Sequence, residues 1–177
     1  SNGVSANSMV AEMDKYLVVF DAPVGEQMSE WFIQAAKKRY PGKPIRYLML
    51  THHHWDHANG ARTYVAEGAT VVVGKGTRAH YENMFKAPGT MLDDRLHRTP
   101  RTANIIEVSG KHVLKDGKRE IGFYLIDSAH SVGTLIAYIP DAKLGFVTDI
   151  WSTTAPLGAK PTPGQAELVA GTKKWSI

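Results

Sequence analysis

The sequence contains no cysteine. This absence excludes disulfide bonds, zinc sites built on thiolates and a cysteine nucleophile, and it leaves the cellular compartment open. The chain also lacks any stretch approaching 18 consecutive apolar residues, which predicts a protein without a transmembrane helix. A strong excess of one charge is missing too, because 21 Lys and Arg oppose 17 Asp and Glu, for a net charge of +4 spread along the chain. We therefore expect neither a nucleic-acid partner nor a membrane partner.

What the chain does contain is enough apolar sequence for one core. With 177 residues, of which 43% are hydrophobic, it is expected to form a single domain over residues 1–177. Apolar patterning predicts strands at 4–13, 16–21, 45–50, 70–73, 105–108, 112–114, 121–126, 135–139 and 144–148. Helical spacing predicts helices at 26–39, 58–66, 77–85 and 165–174. Strands interleaved with helices indicate an α/β layered fold.

The most informative segment is the hexapeptide His-His-His-Trp-Asp-His at 52–57, which follows a predicted buried strand. Residues two apart in an extended chain project to the same side, so His52 and His54 are able to bind one metal ion. The chain then turns, and Asp56 and His57 are expected to face a neighbouring ion. Imidazole and carboxylate ligands suit Zn²⁺. The alternative, a stretch of solvated surface histidines, is disfavoured because a strand that feeds this pattern into a helix is a specific arrangement.

Four motifs resemble those of the metallo-β-lactamase superfamily, and they occur in the same order. The segment THHHWDHANG at 51–60 resembles the H-x-H-x-D-H signature of that family. SAHSVG at 128–133 resembles the next motif, and GFVTD at 145–149 resembles the motif after it, whose aspartate bridges two metals. Asp21, which closes an apolar strand, matches the early aspartate motif, although Ala-Pro follows it in place of the usual Thr-Gly. The resemblance covers residues 4–155.

This resemblance implies an αββα sandwich with a metal site. It implies a first metal held by His52, His54 and His130, a second metal held by Asp56 and His57, and Asp149 bridging the two. Asp21 is expected to orient the site from behind the ligands, with a strand-end turn residue as the alternative. The implied cofactor is Zn²⁺, one ion or two, with iron or manganese as alternatives.

The resemblance further implies a metal-dependent hydrolase, in which a metal-bound hydroxide attacks an ester, thioester, amide or lactam, or phosphoester bond. Asp56 would orient that hydroxide or accept its proton. His54 stands where flavodiiron-type proteins carry glutamate, and Asp149 stands where some β-lactamases carry cysteine. Both residues favour the glyoxalase II-like, general hydrolase branch. Two alternatives stay open: a non-catalytic metal-binding or interaction module that retains the fold, and a mononuclear iron dioxygenase of the same superfamily.

The sequence departs from the family pattern after Asp149, because residues 151–177 contain no histidine to complete the second metal site. The family also usually has strands before the first hairpin. We therefore expect a partial domain, truncated at both ends and lacking the last ligand-bearing segment. Such a chain would bind its second metal weakly and would self-associate through exposed core or edge strands.

The expected partner is a small-molecule substrate. Its anionic group, if it has one, would meet four basic side chains of the irregular segment 86–104, namely Lys86, Arg95, Arg98 and Arg101. The alternative is that this segment is an ordinary solvated loop. Residues 151–164 are a second candidate for the rim of the cleft. A soluble protein is expected, and the bacterial cytoplasm and periplasm are both compatible with the sequence.

Overall fold

The computed structural model describes residues 7–88, 93–151 and 160–177. The strands within these ranges are β1 (Met9–Glu12), β2 (Leu17–Phe20), β3 (Ile45–Met49), β4 (Thr70–Gly74), β5 (Ile105–Val108), β6 (Lys111–Asp116), β7 (Arg119–Leu125), β8 (Leu135–Ile139) and β9 (Leu144–Phe146). The helices are α1 (Glu26–Arg39), α2 (Trp55–Ala58), α3 (Ala61–Glu67), α4 (Arg78–Lys86), α5 (Arg95–Arg98) and α6 (Pro163–Trp175), with a 3₁₀ turn at Pro140–Ala142. None of the described helices combines the length and the hydrophobicity needed to cross a membrane.

The first five strands form one sheet in the order β1-β2-β3-β4-β5. Strands β2 to β5 run parallel, whereas β1 is antiparallel to β2. The parallel strands are short apolar runs, as expected for strands covered on both faces, and helices form the connections between them. Because neighbouring parallel strands end at the same edge, the residues that follow β2 and β3 meet there.

The remaining strands form an antiparallel sheet in the order β6-β7-β8-β9. A tight turn at Gly117 and Lys118 joins β6 to β7, and Gly117 takes the left-handed conformation with φ of 61°. This conformation favours glycine, since it carries no Cβ.

Alternate side chains of the buried strand β2 enter two different cores. Leu17 and Val19 pack in the cluster that includes the helices α1 and α3, whereas Val18 and Phe20 pack with the second sheet. The opposite face of the second sheet packs in a third cluster with residues of α6. The order of layers is helix, sheet, sheet, helix, so the predicted αββα sandwich is confirmed.

The structure differs from the sequence prediction at 58–66, where one helix was expected. Two short helices, α2 and α3, occupy this region, and the first begins at Trp55. Gly60 separates them because its amide donates a hydrogen bond to the carbonyl of Ala22 at 2.9 Å. A Cβ at Gly60 would lie 3.0 Å from the carbonyl oxygens of Ala22 and Gly25. The close approach of a distant loop therefore ends the helix.

The segment 86–104 also differs from the prediction, because it contains the short helix α5. Arg95 of this helix forms ion pairs with Glu30 at 3.0 Å and with Glu67 at 2.8 Å. Arg98 pairs with Glu26. Two of the four cations predicted to meet an anionic substrate are thus already neutralised by acidic residues of α1 and α3. Residues 89–92 of this segment, and residues 152–159 of the second candidate rim, lie outside the described residues.

Candidate metal centre

The first four candidate ligands come from the carboxyl end of β3. The chain stays extended through His54, whose φ is −64° and whose ψ is 147°, and it then turns into α2. The carbonyl of His54 accepts hydrogen bonds from the amides of His57 and Ala58, each at 3.0 Å. This switch from strand to helix places His52 and His54 in extended chain, and Asp56 and His57 in the helical turn beside them.

The other two candidate ligands come from the second sheet. His130 lies in the loop between β7 and β8, and Asp149 follows β9. Two contacts of Thr51 hold this sheet against the end of β3. Its carbonyl accepts a hydrogen bond from the amide of Leu135 at 2.8 Å, and its hydroxyl lies 2.9 Å from the Thr148 hydroxyl. Candidate ligands from both sheets therefore converge on one point.

Three imidazoles and one carboxylate form the first group. His52 Nε2 lies 3.0 Å from His54 Nδ1 and 3.2 Å from His130 Nε2. Asp149 Oδ2 lies 3.3 Å from His52 Nε2 and 3.0 Å from His130 Nε2. Burial falls across the group, because the His52 side chain is 1% exposed and the His130 side chain is 34% exposed. The group thus reaches from the core to the surface.

The second group shares Asp149 with the first. Its other oxygen, Oδ1, lies 3.1 Å from His57 Nε2, and Asp56 Oδ2 lies 3.5 Å from the same nitrogen. One carboxylate therefore presents a different oxygen to each group. Asp149 has a φ of 62°, a left-handed conformation that aspartate and asparagine tolerate better than most residues.

Asp21 lies directly behind the ligands and is fully buried. Its carboxylate accepts hydrogen bonds from the Thr51 amide at 2.7 Å, the Thr51 hydroxyl at 2.8 Å and His57 Nδ1 at 2.8 Å. Its φ of 57° is also left-handed. A buried carboxylate needs such partners, and these partners in turn fix two residues next to the metal-binding groups.

Thr51 is a residue whose role sequence reasoning missed. Its single hydroxyl proton is donated to Asp21, so the same oxygen accepts from His52 Nδ1 at 3.1 Å. His52 then carries its proton on Nδ1, and Nε2 keeps its lone pair for a metal. His57 is fixed in the same tautomer by its bond to Asp21. The only signal in the sequence was the position of Thr51 beside the first histidine.

The surroundings of His52 and His57 shift the pKa values of these two buried histidines in opposite directions. Burial, followed by the positive charge of His57, lowers the pKa of His52 to about 3. Burial also acts to lower the pKa of His57, but the hydrogen bond and negative charge of Asp21 outweigh it and raise that pKa above its usual value. Burial raises the pKa of Asp21 itself, although its hydrogen bonds from His57 and Thr51 oppose the shift. His52 is therefore neutral at physiological pH, as a metal ligand must be.

His53 makes a contact that the motif did not predict. Its Nδ1 lies 3.0 Å from the Ser131 hydroxyl, which donates to the carbonyl of Val132 at 3.2 Å. The contact ties the histidine cluster to the loop that carries His130.

The donor atoms of both groups suit a divalent metal ion. Within each group, one donor atom from each residue lies within 4.8 Å of all the others. The first group is His52, His54, His130 and Asp149, and the second is Asp56, His57 and Asp149. Bonds of about 2.0 Å in a tetrahedral site place the ligands roughly 3.3 Å apart. The closest separations in the first group, 3.0 to 3.3 Å, match this spacing. Nitrogen and oxygen donors without thiolate fit zinc, and they also fit iron or manganese.

Comparison with known structures places the fold. The structure of metallo-beta-lactamase IND-7 has a TM-score of 0.69 and 18% identity over 96% of this chain and 74% of that one. A metallo-beta-lactamase from Pontibacter korlensis has a TM-score of 0.59 and 15% identity over 77% of this chain and 56% of that one. The flavodiiron protein from Giardia intestinalis has a TM-score of 0.59 and 23% identity over 80% of this chain and 31% of that one. These TM-scores show a shared fold, and at identities of 15 to 23% they show the fold alone.

A family profile, rather than a single relative, identifies the family of this chain. No curated protein matches the chain. The family profile described as Metallo-beta-lactamase superfamily matches residues 1–154, which include both sheets and all six candidate ligands. With the αββα layers and the converging histidines and aspartates, this match shows that the chain belongs to the metallo-β-lactamase superfamily.

Proposed function

We propose that the protein is a metal-dependent hydrolase with a site for two metal ions. Zn²⁺ is the first ion to test. The observation that carries the proposal is the sharing of Asp149, whose two oxygens each face a separate group of donors at 3.0 to 3.3 Å. His52, His54 and His130 would hold one ion, Asp56 and His57 would hold the other, and Asp149 would contact both. A carboxylate shared between two groups of donors, one rich in imidazole and one made of an imidazole and a carboxylate, is typical of paired metal ions.

When bound, divalent ions at such a site supply a nucleophile from water at neutral pH and polarise the bond to be cleaved. The chain's own residues supply the rest. We assign to Asp56 the uptake of the proton of the attacking water, because its carboxylate is 34% exposed and its Oδ2 lies 3.5 Å from His57 Nε2 in the second group. Asp21 and Thr51 keep His52 and His57 in the tautomers that leave Nε2 free.

The proposed substrate is a small molecule with a hydrolysable ester, thioester, amide or phosphoester bond. The sequence suggested that basic residues of the segment 86–104 would bind an anionic substrate. The structure weakens this expectation, because Arg95 and Arg98 are held in ion pairs. Neutral and anionic substrates therefore belong in the same test.

The test is metal reconstitution followed by a substrate panel. The metal-free chain is loaded with Zn²⁺, Fe²⁺ or Mn²⁺, its metal content is measured, and a nitrophenyl ester, a thioester, a lactam and a phosphodiester are offered. We expect zinc to bind and at least one substrate to be turned over. His54→Ala should abolish turnover, whereas His97→Ala, which alters an exposed histidine paired with Asp93, should not.

Two results would contradict the proposal. A chain that binds none of the three metals would show that the donor cluster is not a metal site. A chain that binds zinc, yet cleaves no member of the panel, would support the alternative of a non-catalytic metal-binding module.

A further inference from the structure

The loop between β7 and β8 places His130, and it holds that residue by few contacts of its own. The His130 side chain is 34% exposed, so packing alone does not fix it. Within the loop, the amide of His130 donates to the Ser128 hydroxyl at 3.2 Å. Ser128 therefore holds the backbone of this candidate ligand on one side, while Ser131 on its other side contacts His53 at 3.0 Å.

Glu167 of helix α6 fixes Ser128. Its Oε2 accepts the Ser128 hydroxyl proton at 2.7 Å, and its Oε1 accepts the amide proton of Ala129 at 3.1 Å. Because Ser128 donates its only hydroxyl proton to Glu167, its lone pairs are free to accept from His130. A continuous chain of hydrogen bonds thus runs from the His130 amide through Ser128 to the carboxylate.

Helix α6 gives this carboxylate a firm base. Thr162 and Gln165 form a capping box at its first turn, and at its end the Trp175 indole donates to the carbonyl of Leu125 at 3.0 Å. A Cβ at Gly171 would collide with Ile126, so helix and loop are in close contact. The first turn of α6 is therefore capped, and the second half of the helix is packed against the end of β7 and the residue that follows it.

We infer that Glu167 is a positioning residue for the metal ligand His130. The inference rests on the proposed metal site, but among the described residues Glu167 forms no hydrogen bond or ion pair with a candidate ligand side chain; its hydrogen bonds go to Ser128 and Ala129. It also lies beyond residues 1–154, the part that matches the family profile. Without the carboxylate, the loop would have to be ordered as the metal binds, and this cost would lower the affinity of the first group.

The experiment compares Glu167→Ala and Glu167→Gln with Lys174→Ala. Lys174 lies on the same helix and contacts the same loop through an exposed pair with Asp127 at 3.6 Å, so it is a matched control. Zn²⁺ affinity is measured by competition with a chelator. We expect Glu167→Ala to lower it by about 10- to 100-fold, Glu167→Gln to lower it less, and Lys174→Ala to leave it unchanged.

A second readout uses the metal-free chain. In an amide hydrogen-exchange experiment by NMR, the His130 amide should exchange faster in Glu167→Ala than in the parent, while amides of β2 and β3 keep their protection. Unchanged β-strand protection also shows that the variant is folded. In a Ser128→Ala background, removing Glu167 should weaken zinc binding less than it does in the parent, because part of the pathway is already cut.

The outcomes separate this inference from the proposed function. Equal zinc affinity and equal His130 exchange in Glu167→Ala and the parent would overturn the positioning role. A parent chain that binds no zinc would refute the metal site, and the exchange experiment alone would then decide whether Glu167 holds the loop.

Discussion

Asp21 and Thr51, which lie behind the candidate ligands, determine which ring nitrogen of His52 and of His57 faces the candidate metal site. Asp21 accepts three hydrogen bonds in a fully buried position, and through them it sets the tautomer of His57 and, by way of Thr51, that of His52. A carboxylate behind a ligating histidine also makes that histidine a stronger ligand. The network therefore links a strand-end aspartate to both metal-binding groups.

Replacing Asp21 by asparagine tests this role. Asparagine tolerates the left-handed backbone at φ of 57°, so the change removes charge with little strain. Zinc affinity of the second group should fall by about 10- to 100-fold, and the pKa of His57 should fall because the carboxylate that raises it is gone. Metal titration and histidine NMR measure the two effects. Asp141→Asn, at an exposed ion pair with Arg119, is the control, and equal effects of both variants would contradict the role.

The neutrality of His52 gives a second prediction. Its pKa is about 3 in the folded chain, against an ordinary value of 6.5. As pH falls below 6.5, the unfolded chain therefore binds a proton that the folded chain does not, and this residue's contribution to stability is lost towards acid. In the metal-free protein, NMR signals of the His52 ring should show no titration between pH 8 and pH 5. A midpoint near pH 6 would be incompatible with the buried setting.

Local spacing in a strand that turns into a helix predicted four of the six candidate ligands, His52, His54, Asp56 and His57. The other two, His130 and Asp149, were implied only by the resemblance to the family motifs. The supporting contacts were not predictable. Thr51 with Thr148, and Ser128 with Glu167, are 97 and 39 residues apart in sequence. Such pairs depend on how two sheets and a helix pack, and a single sequence carries no local pattern for them.

At the level of elements, the end of β4 is packed directly against the loop that holds His130. A Cβ on Gly74 would overlap the carbonyl of Gly133, and Gly133 itself has a φ of 70°. Two glycines therefore allow strand and loop to approach. The same kind of close contact at Gly60 divides α2 from α3, which is why a helix pattern at 58–66 predicted one element too few.

Gly74→Ala should push the loop away from the site. We expect a loss of about 1–3 kcal/mol in the free energy of unfolding together with weaker zinc binding, because His130 moves with the loop. Urea unfolding and chelator competition measure both. Gly145→Ala serves as a control, since its Cβ would lie 3.8 Å from the nearest atom, the Ala137 carbonyl oxygen. If Gly74→Ala behaved like the control, the tight approach would not be what positions the loop.

On the scale of the whole molecule, the candidate site joins the two sheets. His52, His54 and His57 belong to the first sheet's edge, and His130 and Asp149 belong to the second. An ion bound to both would act as a cross-link that the unfolded chain lacks. The layered fold was predictable, because alternation of strands and helices and the family motifs agree, but the exact contacts between layers were not.

Zinc should therefore stabilise the chain in proportion to its affinity. Free zinc at about 100 times its dissociation constant adds about 2.7 kcal/mol, which raises Tm by roughly 5–10 °C for a chain of this length. Thermal unfolding with zinc or with a chelator measures this shift. His54→Ala should reduce it while leaving the Tm of the metal-free chain nearly unchanged. An equal zinc-induced shift in that variant would place the ion elsewhere.

The separation of the ligands along the chain has a consequence for biosynthesis. The histidine cluster ends at residue 57, but Asp149 is synthesised 92 residues later, and Glu167 follows 18 residues after that. At about 5–20 residues per second, the ribosome needs roughly 5–20 s to cover the first interval. Throughout that time the growing chain displays an incomplete ligand set. For the proposed metal site, the complete set of donors therefore becomes available only after Asp149 has left the ribosome, and its support from Glu167 comes later still.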